Sequence, residues 1–178
     1  DRRLLAYGVA LPFTLMAIAG VGVGLLFERS LLAGLDQSLS AQAASESVSL
    51  FDRPHGLPHL HAADSPVRAA LLSSGSLESA AAAIYGPDGT RQMVGRATDL
   101  MPQRLMPPDG DEPVFRTQRG SRILTLRVPS PDGRPHALWL STSLAGVERT
   151  MEAYWRSSVL GMLLVGLALF VAQRRHAR

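Results

Sequence analysis

The side chains best suited to chemistry lie between Asp52 and Asp64, where three histidines follow one another closely. Imidazole and carboxylate groups are common ligands of Zn²⁺, Cu²⁺ and Ni²⁺. The pattern His-x3-His-x-His on a proline-rich stretch does not match the spacing of zinc motifs. We therefore predict a solvated loop and no metal site, with His55, His59 and His61 as the alternative metal ligands. A role for the same histidines as pH sensors is the other alternative.

Arginine is the second residue type that could bind a ligand, because the guanidinium group pairs with carboxylates through two hydrogen bonds. Most arginines on a half-exposed sheet face water, which is the alternative here. Serine and threonine are frequent, but no G-x-S-x-G motif accompanies them, so we predict no catalytic residue. The arginines on or beside predicted strands are the candidate ligand-binding residues: Arg91, Arg96, Arg116 and Arg122.

The elements that position these residues lie between two apolar stretches. Of the 178 residues, 46% are hydrophobic and 19% are charged, and residues 4–27 and 157–173 contain no charge at all. About 20 apolar residues are needed to cross the ~30 Å hydrocarbon core. We therefore predict transmembrane helices at both stretches, which argues against a soluble single-domain enzyme, and the high apolar content argues against a disordered protein. The alternatives are a cleaved signal peptide for the first stretch and a buried core helix for the second.

The distribution of charge predicts the topology. Residues 28–156 carry 13 arginines against 14 acidic residues, so they lack the basic face that a nucleic-acid partner requires. Arginines flank the outer ends of both apolar stretches, and the positive-inside rule places both termini in the cytoplasm. We expect a two-pass protein of the bacterial inner membrane, in contact with lipid, with residues 28–156 in the periplasm. Residues 174–178 would then begin a cytoplasmic linker.

Two glycines in the first apolar stretch indicate close helix packing. Gly20 and Gly24 form a G-x-x-x-G pair, a spacing that lets two helix backbones approach each other in a membrane. We predict that these glycines pack membrane helices together and that they can drive dimerisation.

The periplasmic residues have the pattern of an α+β domain. Apolar residues at helical spacing predict that the first membrane helix continues through residues 28–51. A short helix at 66–74, a sheet at 80–142 and an exit helix at 143–156, with Ser143 as its N-cap, follow. Turn sequences separate five predicted antiparallel strands: Ala81–Tyr85, Thr90–Val94, Val114–Gln118, Arg122–Val128 and His136–Thr142.

Several short motifs resemble one known family. The segment Leu35-Asp36-Gln37-Ser38-Leu39 resembles the L-D-x-x-L opening of the N-terminal domain of bacterial two-component sensor kinases, of the tricarboxylate-transport and quorum-sensor type. The segment from Ile84 to Gly89, then Gly95 and Asp99-Leu100, is similar to that family's strand, P-D-G turn and G-x-x-D-L segment. Similarity extends through the hairpin from Val114 to Arg127 and the exit segment from Leu140 to Arg149. The resemblance implies a PAS-like periplasmic fold and a homodimer that senses a small molecule or an ion.

The kinase motifs themselves do not occur in this sequence. It has no H-[DE]-x-x-x-P motif, no D-x-G-x-G motif and no asparagine for an ATP-binding box. We therefore expect the sensor region of a histidine kinase whose catalytic half lies elsewhere. The resemblance implies ATP-dependent autophosphorylation with ATP and Mg in that half, a cognate response regulator, and no cofactor in this segment. The alternatives are the input domain of a chemoreceptor or diguanylate cyclase, and a membrane-anchored periplasmic binding or scaffold protein.

Overall fold

The computed structural model describes the backbone of residues 2–51, 60 and 81–176. The predicted short helix at 66–74 and the predicted loop with His55, His59 and His61 lie outside the described residues. The described residues have an α+β fold, as predicted, with a long helix before and after five strands. It divides into two compact units, residues 1–32 with 147–178, and residues 33–146.

Two long helices lie in the described part of the chain. Helix α1 spans Arg2–Ser49 and contains Pro12 without interruption, and helix α2 spans Ala145–His176. The helix that begins in the first apolar stretch thus continues into the second unit. Residues 28–49 contain no proline that would end it, and their apolar residues keep helical spacing. At the start of α2, the Ser143 hydroxyl accepts a hydrogen bond from the Ala145 amide at 3.1 Å, the N-cap contact that the sequence predicts.

The five-stranded antiparallel sheet predicted from the sequence is present. Its order is β2-β1-β5-β4-β3, so β2 and β3 form the two edges, and every neighbouring pair is antiparallel. Strands β4 and β5 pair over their whole length, which carries each of them a residue or so beyond its predicted ends. The strands are β1 (Ala81–Tyr85), β2 (Arg91–Arg96), β3 (Val114–Gln118), β4 (Ser121–Pro129) and β5 (Pro135–Ser143).

One face of the sheet packs against the second half of α1. Leu39 and Ala43 of α1 and Leu50, which directly follows the helix, are almost completely buried. Leu39 and Ala43 lie on one side of the helix because their spacing follows its period. We call the side of the sheet that they cover the helix-side face. The strand residues of this cluster are Ala82, Ile84, Leu124, Val128, Leu138 and Leu140.

The other face is crossed by the connection between the two edge strands. Because β2 and β3 lie at opposite edges, residues 97–113 run from one edge to the other, and we call them the crossing segment. Leu100, Met101 and Leu105 of this segment pack onto what we call the crossing-side face. The strand residues of that cluster are Ala81, Ala83, Tyr85, Ile123, Ala137 and Trp139.

A few hydrogen bonds hold the crossing segment on the sheet. The Tyr85 hydroxyl donates to the Pro102 carbonyl at 2.6 Å, and the Leu105 amide donates to the Gly89 carbonyl at 3.0 Å. Burial raises the pKa of the Tyr85 hydroxyl, and the charge of Arg91 opposes that increase. The phenol is therefore a neutral donor at physiological pH, as its bond to Pro102 requires.

Candidate functional site

An ion pair joins α1 to the sheet at the motif that resembles the sensor-kinase family. The Arg122 guanidinium donates from Nε to Asp36 Oδ1 at 2.7 Å and from Nη2 to Asp36 Oδ2 at 2.6 Å. The Arg122 side chain is only 19% exposed and the Asp36 side chain only 25%. Two parallel bonds of this kind fix orientation as well as distance, because the planar fork matches the carboxylate.

The local sequence explains why these two side chains meet. Asp36 lies three residues before Leu39 and seven before Ala43, so it shares their side of α1. Arg122 alternates with Ile123 and shares the helix-side face with Leu124, since successive strand residues point to opposite faces. The sequence alone placed Asp36 in a motif and Arg122 among ligand candidates, but it did not predict their pairing.

Strand β3 completes the surroundings of the Arg122 guanidinium. Its Nη1 donates to the Thr117 hydroxyl at 2.9 Å, and its Cζ lies 5.4 Å from the centre of the Phe115 ring. The hydrogen bonds to Asp36 raise the pKa of Arg122 above its usual value, with burial opposing them. Each of the three guanidinium nitrogens of Arg122 thus donates a hydrogen bond within the protein, to Asp36 or to Thr117.

The four candidate ligand-binding arginines do not form one site. Arg91 and Arg96 are the first and last residues of β2, whereas Arg116 lies on β3 and Arg122 on β4. Three strands separate β2 from β3 in the sheet order. The arginines of β2 therefore lie too far from those of β3 and β4 for all four to bind one small anion.

The structure does not test the candidate metal ligands, and it shows no other group of metal ligands among the described residues. His55, His59 and His61 lie outside these residues, and among the described residues no three His, Cys, Asp or Glu side chains are grouped as metal ligands would be. The prediction of a loop without metal is neither supported nor opposed by this finding.

Gly20 and Gly24 lie against α2 of the same chain. The Tyr154 hydroxyl donates to the Gly20 carbonyl at 2.8 Å, and a Cβ atom on Gly24 would lie 2.7 Å from the Trp155 ring. The Phe27 ring is 5.7 Å from that of Tyr154. The two glycines thus form a notch that receives the Tyr154-Trp155 pair, and packing with a second copy of the chain stays a prediction.

A second close approach between the same helices was not predicted. A Cβ atom on Gly166 of α2 would lie 2.7 Å from the Phe13 ring of α1. The one signal for it in the sequence is a small residue within an apolar helix, which is common in membrane helices and therefore says little by itself.

Both long helices expose apolar side chains. Within the described residues, Leu11–Val48 and Ala145–Ala172 contain stretches long and apolar enough to cross a membrane, judged by length and composition. Almost none of these stretches is buried inside the protein, unlike the core helix of a soluble domain. Large side chains that face outward along them include Leu15, Ile18, Leu26, Leu163 and Phe170.

Comparison of the chain with protein-family models, with curated proteins and with solved structures finds no match. The fold therefore defines a class in structural terms only: an α+β protein with two long apolar helices and a five-stranded antiparallel sheet.

Proposed function

We propose that this chain is the signal-input region of a membrane-bound two-component sensor histidine kinase. In this proposal α1 and α2 cross the bacterial inner membrane, both termini are cytoplasmic, and the sheet is a PAS-like periplasmic domain. The observation that carries the proposal is helix continuity. Helix α1 runs unbroken from its apolar half onto the helix-side face of the sheet, and β5 leads almost directly into α2.

The Asp36–Arg122 pair provides a way for a change in the sheet to reach α1. A helix that only rests on a sheet can slide when the sheet changes shape. A two-bond ion pair together with the buried side chains of Leu39 and Ala43 holds α1 to β4 at a fixed register. A change in the sheet is then passed to α1, and a coupling of about 1–3 kcal/mol is enough for a 5–150-fold change in output.

The partners of the proposed sensor follow from the resemblance of its motifs. They are a second copy of the chain, membrane lipid around the exposed apolar side chains, and a response regulator that receives the phosphoryl group. ATP and Mg would act in the kinase half. The stimulus would be a small molecule or an ion that binds in the periplasm.

The topology is tested with cysteine labelling, for which this chain is well suited because it contains no cysteine. Single cysteines would replace the exposed residues Arg119 and Asp132 in sheet turns and Arg174 and Arg175 at the end of α2. A maleimide that cannot cross membranes should label positions 119 and 132 in intact spheroplasts and positions 174 and 175 only after lysis. The opposite pattern, or equal labelling of all four, would overturn the proposed topology.

The signalling role is tested by fusing residues 1–178 to a HAMP linker and kinase of known activity. Asp36→Ala removes the attachment of α1 to β4, and we expect it to change autophosphorylation several-fold in membranes. Asp132→Ala, in an exposed turn, is the matched control and should leave output unchanged. If Asp36→Ala and Gly24→Leu both leave autophosphorylation at the level of the control, the sensor proposal fails.

A further inference from the structure

Two polar side chains of β5 are buried without a hydrogen-bond partner among the described residues. Trp139 is 2% exposed and Ser141 is 5% exposed, and neither the indole N–H nor the hydroxyl bonds to any described residue. Buried polar groups are nearly always paired, because leaving one unpaired costs about 1–3 kcal/mol. These two donors, two residues apart on one strand, are satisfied by no described residue and are open to an acceptor from beyond the described part of the chain.

Both groups lie on the crossing-side face, in adjacent rows of the sheet. Trp139 has Ala83 of β1 and Thr125 of β4 as its neighbours across the strands, and Ser141 has Ala81 and Ile123. Residues two apart on a strand share a face, so the indole and the hydroxyl are side by side. The neighbouring side chains of Ala81 and Ala83 are single methyl groups. They rise less far from the sheet than the indole ring beside them.

The cover of this face is held by separate bonds and not by strand pairing. Among the described residues, the crossing segment forms one isolated bridge, Thr90–Arg104, and hydrogen bonds that include those from Tyr85 to Pro102 and from Leu105 to Gly89. An irregular segment of this kind opens at lower free energy than the strands beneath it. Met101, which packs on the same cluster, has an unbranched side chain that adapts readily to a new neighbour.

The charges around the two groups favour a neutral molecule. The four nearest positions to Trp139 on this face are Ala83, Thr125, Ala137 and Ser141, none of which is charged. The closest arginine along β4, Arg127, already donates to the Asp109 carbonyl at 2.9 Å and pairs with Asp111. The other arginines of this face are exposed and lie on the edge strands. A carboxylate beside Trp139 would lose its hydration without gaining a counter-charge, which is costly.

We propose that the crossing-side face binds a small neutral molecule with an apolar body and a carbonyl or ether oxygen. The oxygen accepts hydrogen bonds from Trp139 Nε1–H and Ser141 Oγ–H, and the body lies on Ala81 and Ala83 beneath the crossing segment. This inference names the class of stimulus and takes its biological meaning from the proposed sensor function. Binding itself is measured without a kinase, so its failure would leave the signalling experiments untouched.

The indole N–H offers a direct readout. The chain has two tryptophans, so Trp155→Phe leaves Trp139 as the single source of an indole ¹H–¹⁵N signal in the full chain in lipid nanodiscs. Cyclohexanone, cyclohexanecarboxylate and methylcyclohexane serve as probes of similar size that carry a neutral acceptor, an anionic acceptor and no acceptor. We expect cyclohexanone to move the indole signal downfield in a saturable manner, and the other two to leave it in place.

Serine variants separate the proposed bond from general effects. Loss of one neutral hydrogen bond should weaken cyclohexanone binding about 5–10-fold in Ser141→Ala. Ser121→Ala removes a hydroxyl at the end of β4, away from Trp139, and should leave the affinity unchanged. Three results would each overturn the proposal: an indole signal that no probe moves, binding of the carboxylate or the hydrocarbon as tight as that of the ketone, or equal weakening by Ser121→Ala and Ser141→Ala.

Discussion

The Asp36–Arg122 pair should contribute measurably to the stability of the sheet domain. We consider a double-mutant cycle of Asp36→Ala, Arg122→Ala and the double variant. Each single change leaves a partly buried charge without its partner, so both should be strongly destabilising. The double variant removes both charges and should be less destabilised than the sum of the two, and the difference is the coupling energy.

The structure sets the expected size of that coupling. Fully exposed ion pairs contribute about 0.2–1 kcal/mol, whereas single hydrogen bonds to charged groups contribute about 1.5–3 kcal/mol. Asp36 and Arg122 are about three-quarters or more buried and share two bonds of 2.6–2.7 Å. We therefore expect a coupling of about 1.5–3 kcal/mol, since residual water contact prevents the two bonds from adding fully. Arg122→Lys should lose about half of it, because lysine keeps the charge but not the fork.

Urea unfolding of the full chain in nanodiscs measures the coupling, with the fluorescence of Trp139 as the signal in a Trp155→Phe background. The matched control is the pair Glu152–Arg156 in α2, whose side chains are 61% and 77% exposed. A cycle on that pair should give only about 0.3–0.5 kcal/mol, the usual range for such helix pairs. A coupling for Asp36–Arg122 no larger than that of the control would refute the view that this contact fastens α1 to the sheet.

Three further variants test local features. Arg119 has a positive φ of 46° in the β3–β4 turn, so Arg119→Asn should stabilise the domain by about 0.5–1 kcal/mol in urea unfolding; a loss of stability would contradict this. Gly24→Leu should shift the fluorescence of Trp155 in a Trp139→Phe background because their contact is tight, whereas Gly22→Leu, with open space around it, should not; equal shifts would disprove the notch. Hydrogen bonds from Thr90 lower the pKa of the Asp88 carboxyl. Thr90→Val should raise that pKa in a carboxyl NMR titration and leave that of Asp132 unchanged. The stabilisation from this contact is present above the ordinary carboxyl pKa and is lost as the pH falls through the lowered one, and an unchanged Asp88 titration would argue against the contact.

Features that depend on near neighbours in the sequence were predicted well. The alternation of Leu124, Leu126 and Val128 indicates a half-buried strand, and the turns at Gly120 and Gly133 separate it from β3 and β5 because glycine tolerates the positive φ found there. The number of strands and their antiparallel pairing follow from such signals, since consecutive strands joined by tight turns pair with each other.

Features that depend on distant residues were not predicted. Asp36 and Arg122 are 86 residues apart, and no local pattern indicates that they meet. The pairing of β1 with β5 depends on the course of the crossing segment. It separates Arg91 and Arg96 on one edge strand from Arg116 on the other edge strand and Arg122 on the strand beside it. The arginines of a single sheet can look like one cluster in the sequence and still be separated by its whole width.

The arrangement of the sheet suggests why its two faces would serve different purposes in a sensor. The helix-side face is covered by α1 and carries the Asp36–Arg122 pair, which in the proposed sensor would couple α1 to the sheet. The crossing-side face has two buried donors, Trp139 and Ser141, that bond to no described residue and lie under an irregular cover. Both donors lie on β5, which pairs with β4 along its full length and continues toward α2. In the proposed sensor, a molecule bound on the crossing-side face would act on β5, which leads to α2 and pairs with the strand that carries Arg122, so both long helices would receive the change.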